Sequence, residues 1–345
     1  MSREIVLSDV TVVIPTFKRA DKLARALSSV EAQTQKPQKV IVIDDGSPNE
    51  AASQIRATIE KFKHSLEIDL VLNSVNRGAN HSRNRGIDLA DTTYVAFLDS
   101  DDMWFPEKLT QQMEAIKNAK LRNSRPVLSS TGRYRVTGSG QIIAKQFGGH
   151  FFDETRIKRS NFIGTLSSVV VETAIAREVS GLDEKLPACQ DWDFFIRLSR
   201  YVQYVGVAEP LCIYVDHDGD RISNGGRNRV RAHIRLLRLH AGDDILTRAK
   251  IFRIIAEEFQ LLDHPRKASR FLAESIASKV VSDRRLSKSL AVIIQLYFTV
   301  FPPGPLKEKR YCNYRKALIK TQRTPPQASE VANASTLIQT IMGRQ

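Results

Sequence analysis

Tyr94-Val-Ala-Phe-Leu-Asp-Ser-Asp-Asp102 is a short apolar run that stops on three carboxylates. A run of this length, bounded by polar sequence, reads as a buried strand. In extended backbone the side chains at i and i+2 share a face, so Asp99 and Asp101 can converge on one cation. Hard carboxylate oxygens suit Mg²⁺ or Mn²⁺, which keep positions open for phosphate oxygens. A plainer reading makes Asp99 and Asp102 caps for the helix that follows Pro106. The neighbouring sequence separates the two.

Upstream, Val10–Phe17, Lys39–Asp44 and Leu66–Leu72 are further strand-like runs. They alternate with helical patterns: Leu23, Leu27 and Val30 at i, i+4 and i+7, then Ala51–Phe62 and Gly78–Ala90, with Glu107–Ala119 downstream. Continuous Val/Ile strands separated by helices predict an α/β fold with a mostly parallel sheet covered on both faces. Ligands of such sheets gather at the carboxyl ends of the strands. The unusual polar residues stand there: Thr16-Phe-Lys-Arg19, Asp44-Asp-Gly-Ser47, Asn76-Arg-Gly78 and Asp99-Ser-Asp-Asp102. The first βα turn has no G-x-G-x-x-G, and the chain has no G-x-x-x-x-G-K-[ST] loop. A nucleotide diphosphate held without either needs a divalent cation or basic side chains. Asp44-Asp-Gly-Ser-Pro48 reads as an Asx turn, or as a carboxylate that accepts from a nucleobase NH or a ribose hydroxyl. Arg77, Arg83 and Arg85 are either solvated surface or partners for a diphosphate.

The 345 residues carry a formal charge of +14, with a pI near 9.8, which suggests an anionic partner. The excess is confined to one region. Residues 227–345 hold 23 Lys+Arg against 9 Asp+Glu, whereas residues 1–226 hold 29 of each. A uniformly basic nucleic-acid binder would not divide this way, and no nucleic-acid partner is expected. We read residues 1–225 as the catalytic domain and 226–345 as a basic, mostly helical C-terminal region. Residues 125–175 are less regular and strand-rich. Three cysteines without a C-x-x-C pair argue against a disulfide framework or structural zinc. The N-terminal residues lack the apolar core of a signal peptide, and Leu290–Phe301 is too short to span a membrane. The expectation is a cytoplasmic protein.

The matching stretches Val12-Val-Ile-Pro-Thr-Phe-Lys-Arg19, Val42-Ile-Asp-Asp-Gly-Ser47, Asn76-Arg-Gly-Ala-Asn-His-Ser-Arg-Asn-Arg-Gly86 and Tyr94–Asp102 strongly resemble glycosyltransferase family 2 in order and spacing, over roughly residues 10–220. The resemblance implies the GT-A fold and transfer of a sugar from a UDP-sugar. It also implies that Pro15, Thr16 and Asp44 or Asp45 hold the base and ribose, with Arg83 near the base or diphosphate. Asp99 and Asp101 would hold Mn²⁺ or Mg²⁺ beside the nucleotide. His217, after the strand Leu211–Val215, would complete the metal shell, and Arg221 is a weaker diphosphate candidate.

The family usually places Glu-Asp before a helix, and here Gln190-Asp191 occupies that position. Asp191 is the candidate base for the acceptor hydroxyl, with an N-cap as its plain alternative and Asp193 as runner-up. The processive synthases' Q-x-x-R-W is missing, which implies a non-processive enzyme; the resemblance itself implies an inverting one that adds one hexose-type sugar in surface polysaccharide or lipopolysaccharide assembly. Its acceptor would be a glycan or lipid-linked glycan. Arg231, Arg235 and Arg238 flank an apolar row of Val230, Ile234 and Leu237. This basic amphipathic helix predicts either peripheral attachment to the anionic inner face of the cell membrane, or a helical cap on the catalytic domain. Rival functions are an altered, ligand-binding relative, a sugar nucleotidyltransferase and a basic nucleic-acid-binding protein.

Overall fold

In β1 (Leu7–Thr16) successive side chains part to opposite sides of a sheet. Val10, Val12 and Ile14 pack with Leu23 and Leu27 of α1 (Ala20–Glu31) and Ile55 and Ile59 of α2 (Asn49–Glu60). Val13 instead joins Ile41 and Ile43 of β2 (Lys36–Asp44) and Ile87 of α3 (Ala79–Leu89) on the other face. The sheet is therefore buried on both sides, as continuous Val/Ile strands require. The computed structural model describes residues 7–149, 152–216 and 226–282.

The remaining strands are β3 (Ile68–Leu72), β4 (Tyr94–Phe97), β5 (Met103–Trp104), β6 (Val127–Thr137), β7 (Ile142–Gln146), β8 (Val169–Glu172) and β9 (Gln203–Asp216). The helices are completed by α4 (Lys108–Lys120), α5 (Glu154–Arg159), α6 (Thr173–Glu178), α7 (Gln190–Leu198), α8 (Arg227–Leu236), α9 (Ile245–Leu261) and α10 (Pro265–Ser282). Strand order is β3-β2-β1-β4-β8-β6-β9-β5, with β7 on β6. Pairing from β3 through β4 is parallel, as the alternating pattern predicts. Beyond β4 it is mixed, because β8 runs antiparallel between β4 and β6, while β6 and β9 are parallel.

The sequence reading placed a strand only over Leu211–Val215, yet β9 starts eight residues earlier. Its first half contains Gly206 and Pro210, which read as turn residues. The ladder accommodates Pro210 opposite Gly132 at an irregularity in register. One consequence positions the site: the far end of β9 reaches the turn between β4 and β5, where Val215 N donates to Asp102 Oδ1 at 3.2 Å.

The C-terminal helices dock directly on this α/β body. Val230 of α8 packs with Ile251 and Ile255 of α9, joined by Ile234 and Leu237. Within the apolar row, Val230 is thus buried, and Ile234 and Leu237 are half-buried beside it. Arg235 is held by Asp183 at 2.7 Å, and Leu236 enters the core cluster containing Trp192 and Phe194 of α7. No helix among the described residues is long and apolar enough to cross a membrane. The flanked apolar stretch 290–301 lies outside the described residues, as do His217 and Arg221.

Candidate active site

The polar strand ends open onto a cavity of about 690 Å³. From β1 come Pro15 and Thr16, and the Thr16 hydroxyl is buried with no hydrogen-bond partner among the described residues. From the turn after β2 comes Asp45. Its Oδ1 accepts from Asn73 Nδ2 at 2.7 Å and Arg77 N at 3.0 Å, and its Oδ2 accepts from Gly78 N at 2.7 Å. Asp45 therefore ties the second strand end to the third. Asp44 makes the Asx-type contact, accepting from Ser47 N at 3.1 Å, and is buried outside the cavity lining. Gly46 is required between these segments: a Cβ there would lie 2.5 Å from the backbone carbon of Val75.

Arg83 stands one turn into α3 and is buried. Its Nη2 donates to Asp99 Oδ1, while Nε and Nη1 have no partner among the described residues. Buried guanidinium donors left unpaired are costly, so this geometry suits an anionic ligand in the cavity. Asp101 is paired with Arg19 Nη1 at 3.0 Å. Arg19 carried no role in the sequence reading beyond its strand-end position.

Among the described residues, no group of three or more His, Cys, Asp or Glu side chains stands together as a metal site. Asp99 and Asp101 nevertheless both line the cavity, and each already faces a cationic guanidinium. Asp99 and Asp101 are the residues that would hold a hard divalent cation, as carboxylate oxygen donors. Asp102 is different. It is buried, accepts from Ser167 Oγ at 2.6 Å and Val215 N, and braces the turn. Burial first, then the charges of Asp101 and Asp99, push its carboxyl well above the usual range.

Asp191 faces the same cavity from the first turn of α7. It does not act as the N-cap; Cys189 occupies that position, in the left-handed region at φ 57°. The carboxylate accepts from Trp192 N at 2.8 Å on Oδ1 and from Asn161 Nδ2 at 2.9 Å on Oδ2. Burial pushes its pKa up, against these two hydrogen bonds and the more distant charges of Arg83 and Arg133. Asp193, two residues on, is locked elsewhere. Arg197 Nη2 donates to it at 2.7 Å, and His240 Nε2 meets it at 2.7 Å. Burial alone would raise its pKa, but hydrogen bonds from His240 and Arg197 outweigh it and hold the carboxyl below its ordinary value.

Further lining comes from residues outside the polar strand ends. Arg229 and His233 of α8, and Lys250 and Arg253 of α9, line the cavity together with Arg159 and Asn161. His233 is buried with its ring against Trp192 and its Nε2 3.5 Å from Cys189 Sγ. No local motif marks these positions, because only the tertiary path of the chain brings them to the turn that carries Asp191.

The sequence pattern described as Glycosyl transferase family 2 matches residues 11–157. The amylovoran biosynthesis glycosyltransferase AmsB of Erwinia amylovora is 30% identical over 211 residues, covering 59% of this chain and 68% of that protein. The Escherichia coli protein WfgD, a UDP-Glc:alpha-D-GlcNAc-diphosphoundecaprenol beta-1,3-glucosyltransferase, is 26% identical over 166 residues, covering 48% of this chain and 61% of that one. Among solved structures, S. aureus TarS 1–349 in complex with UDP-GlcNAc superposes with a TM-score of 0.60 at 20% identity, covering 88% of this chain and 92% of that one. The last likeness bears on the fold, which is GT-A. With the sequence likeness to AmsB spanning more than two thirds of that protein, the chain belongs to glycosyltransferase family 2.

Proposed function

We propose that this glycosyltransferase moves a hexose-type sugar, with inversion, from a UDP-sugar to a hydroxyl of a growing glycan in polysaccharide assembly. The observation that carries the reading is one cavity lined by Asp191 together with Asp99, Asp101 and Arg83, whose Nε and Nη1 have no partner among the described residues. The named relatives support the substrate class. AmsB is a polysaccharide biosynthesis enzyme, WfgD uses UDP-Glc on a lipid diphosphate-linked sugar, and TarS was solved with UDP-GlcNAc.

In this reading Pro15, Thr16 and Asp45 receive the base and ribose, with Asp44 supporting the turn from beneath. Arg83 directs Nε and Nη1 to the diphosphate, while Nη2 keeps Asp99 in place. Asp191 takes the proton of the acceptor hydroxyl as that oxygen bonds to the anomeric carbon and the bond to UDP breaks. Attack from the side opposite the leaving group inverts the centre. The acceptor enters from the wall built by α8 and α9, since the nucleotide fills the strand-end side. A divalent cation on Asp99 and Asp101 would supply Lewis-acid stabilisation of the departing diphosphate.

The test is UDP release across a panel of nucleotide sugars, with and without lipid-linked acceptors. Release with a UDP-sugar that EDTA abolishes and Mn²⁺ or Mg²⁺ restores is the expected result. Asp101→Ala should lose metal-dependent UDP binding. Full activity in EDTA would contradict the metal reading, and no release with any UDP-sugar would contradict the donor reading.

A further inference from the structure

The loop Ser160–Thr165 lies beside the catalytic turn and is fastened from three directions. Arg133 Nη1 donates to Ile163 O at 2.7 Å, and Gln146 Nε2 donates to Phe162 O at 2.7 Å. Within the loop, Gly164 N donates to Asn161 Oδ1 at 2.8 Å. Gly164 sits at φ +86°, and a Cβ on it would come within 2.0 Å of Arg133 Nη1. Glycine thus satisfies both the backbone conformation and the close approach of the guanidinium. The result is that the Asn161 amide is oriented by its own loop. Its Oδ1 is committed to Gly164, so its Nδ2 must face outward, and it meets Asp191 Oδ2 at 2.9 Å.

An amide fixed this way does more than fill space. A carboxylate offers about four lone-pair sites, and here Trp192 N takes one on Oδ1 and Asn161 takes one on Oδ2. Sites remain for an acceptor hydroxyl in the cavity, and the carboxylate plane is fixed. General-base chains commonly consist of a nucleophile, a base and a third group that orients the base. We propose that Asn161 is the positioning residue for Asp191: it sets the carboxylate's orientation and favours its ionised form. This rests on the reading of Asp191 as the base. Arg133 and Gly164 act one step further out, by holding the loop.

Two variants separate positioning from loop folding. Asn161→Ala removes both contacts. Asn161→Asp keeps an acceptor for Gly164 N but loses the amide donor and sets a second carboxylate beside the first. Losing a hydrogen bond to the charged form raises a carboxyl pKa, and a like charge raises it further. For Asn161→Ala, kcat should fall about tenfold to a hundredfold, and the acid limb of the kcat profile should move up by about one pH unit. In Asn161→Asp the limb should move further in the same direction. KM for the nucleotide sugar should stay within about twofold in both, because neither touches the nucleotide side. Asp191→Asn is measured alongside. If it is inactive while a folded Asn161→Asp keeps the wild-type kcat and acid limb, the positioning role is overturned. Near-normal turnover in Asp191→Asn would instead remove the base reading itself, and with it this inference.

Discussion

Asp191 and Asp193 stand two residues apart on one helix and meet different fates, decided by what each carboxylate touches. Asp193 is saturated by Arg197 and His240 and kept ionised as part of the scaffold. Asp191 has two neutral donors, a cavity in front of it and a raised pKa, which is what a base needs. The raised value has a sign for stability. A carboxyl whose folded pKa lies above its unfolded value favours folding most below the unfolded pKa. That contribution is lost as pH rises through the folded pKa. At neutral pH the ionised Asp191 therefore costs stability, and Asp191→Asn should unfold no earlier than wild type on thermal denaturation. At pH 3 the advantage should vanish. A melting temperature at pH 7 several degrees below wild type would contradict the burial argument. In the sequence the two acids were distinguishable only through the family's pattern, since an N-cap and a base look alike without the fold.

At the scale of elements, helix α3 approaches β1 closely because Gly86 has no side chain. A Cβ there would stand 2.3 Å from Val13 Cγ1. Gly86→Ala should destabilise the protein by about 1–3 kcal/mol through overpacking. Shortening the partner with Val13→Ala in the same chain should restore part of the loss, a coupling read from chemical denaturation of the four proteins in the cycle. Strict additivity would argue against direct contact.

Helix α8 is seated by a different device. Burial first, then the charge of Arg229, lowers the His233 pKa from 6.5 to about 4. A histidine depressed in this way contributes stability that is complete above its unfolded pKa and lost as pH falls from about 6.5 toward 4. His233→Gln should flatten the stability profile across that window. An unchanged profile would show that protonation is met elsewhere. The strand ends and their helices were legible because hydrophobic period and turn chemistry are local properties. The N-terminal part of β9 was not, since Gly206 pairs with Ser130 and Pro210 stands opposite Gly132 at a register irregularity, partnerships that no local pattern reveals.

Across the whole molecule, the basic C-terminal region proves to be partly internal. Arg229 pairs with Glu258, Arg235 with Asp183 and Arg253 with Glu257. Arg229 ties α8 to α9, Arg235 ties α8 to the catalytic body, and Arg253 pairs within α9, so their positive charge is engaged within the fold. Composition showed how much charge the chain carries and sequence position showed where, but only the packing shows which face it occupies. The strand-end half of the cavity was legible as four polar strand ends. The half formed by Asn161, His233, Lys250 and Arg253 was not, because residues far from those ends in the chain meet them only in the fold. The central claim is that these two halves enclose one transfer reaction with Asp191 between them. Its most direct test is UDP release by Asp191→Asn with the UDP-sugar and acceptor that the wild-type chain uses, with UDP binding measured in parallel by calorimetry. Turnover should fall by about a hundredfold or more while UDP affinity is retained. Near-wild-type turnover with intact UDP binding would contradict it.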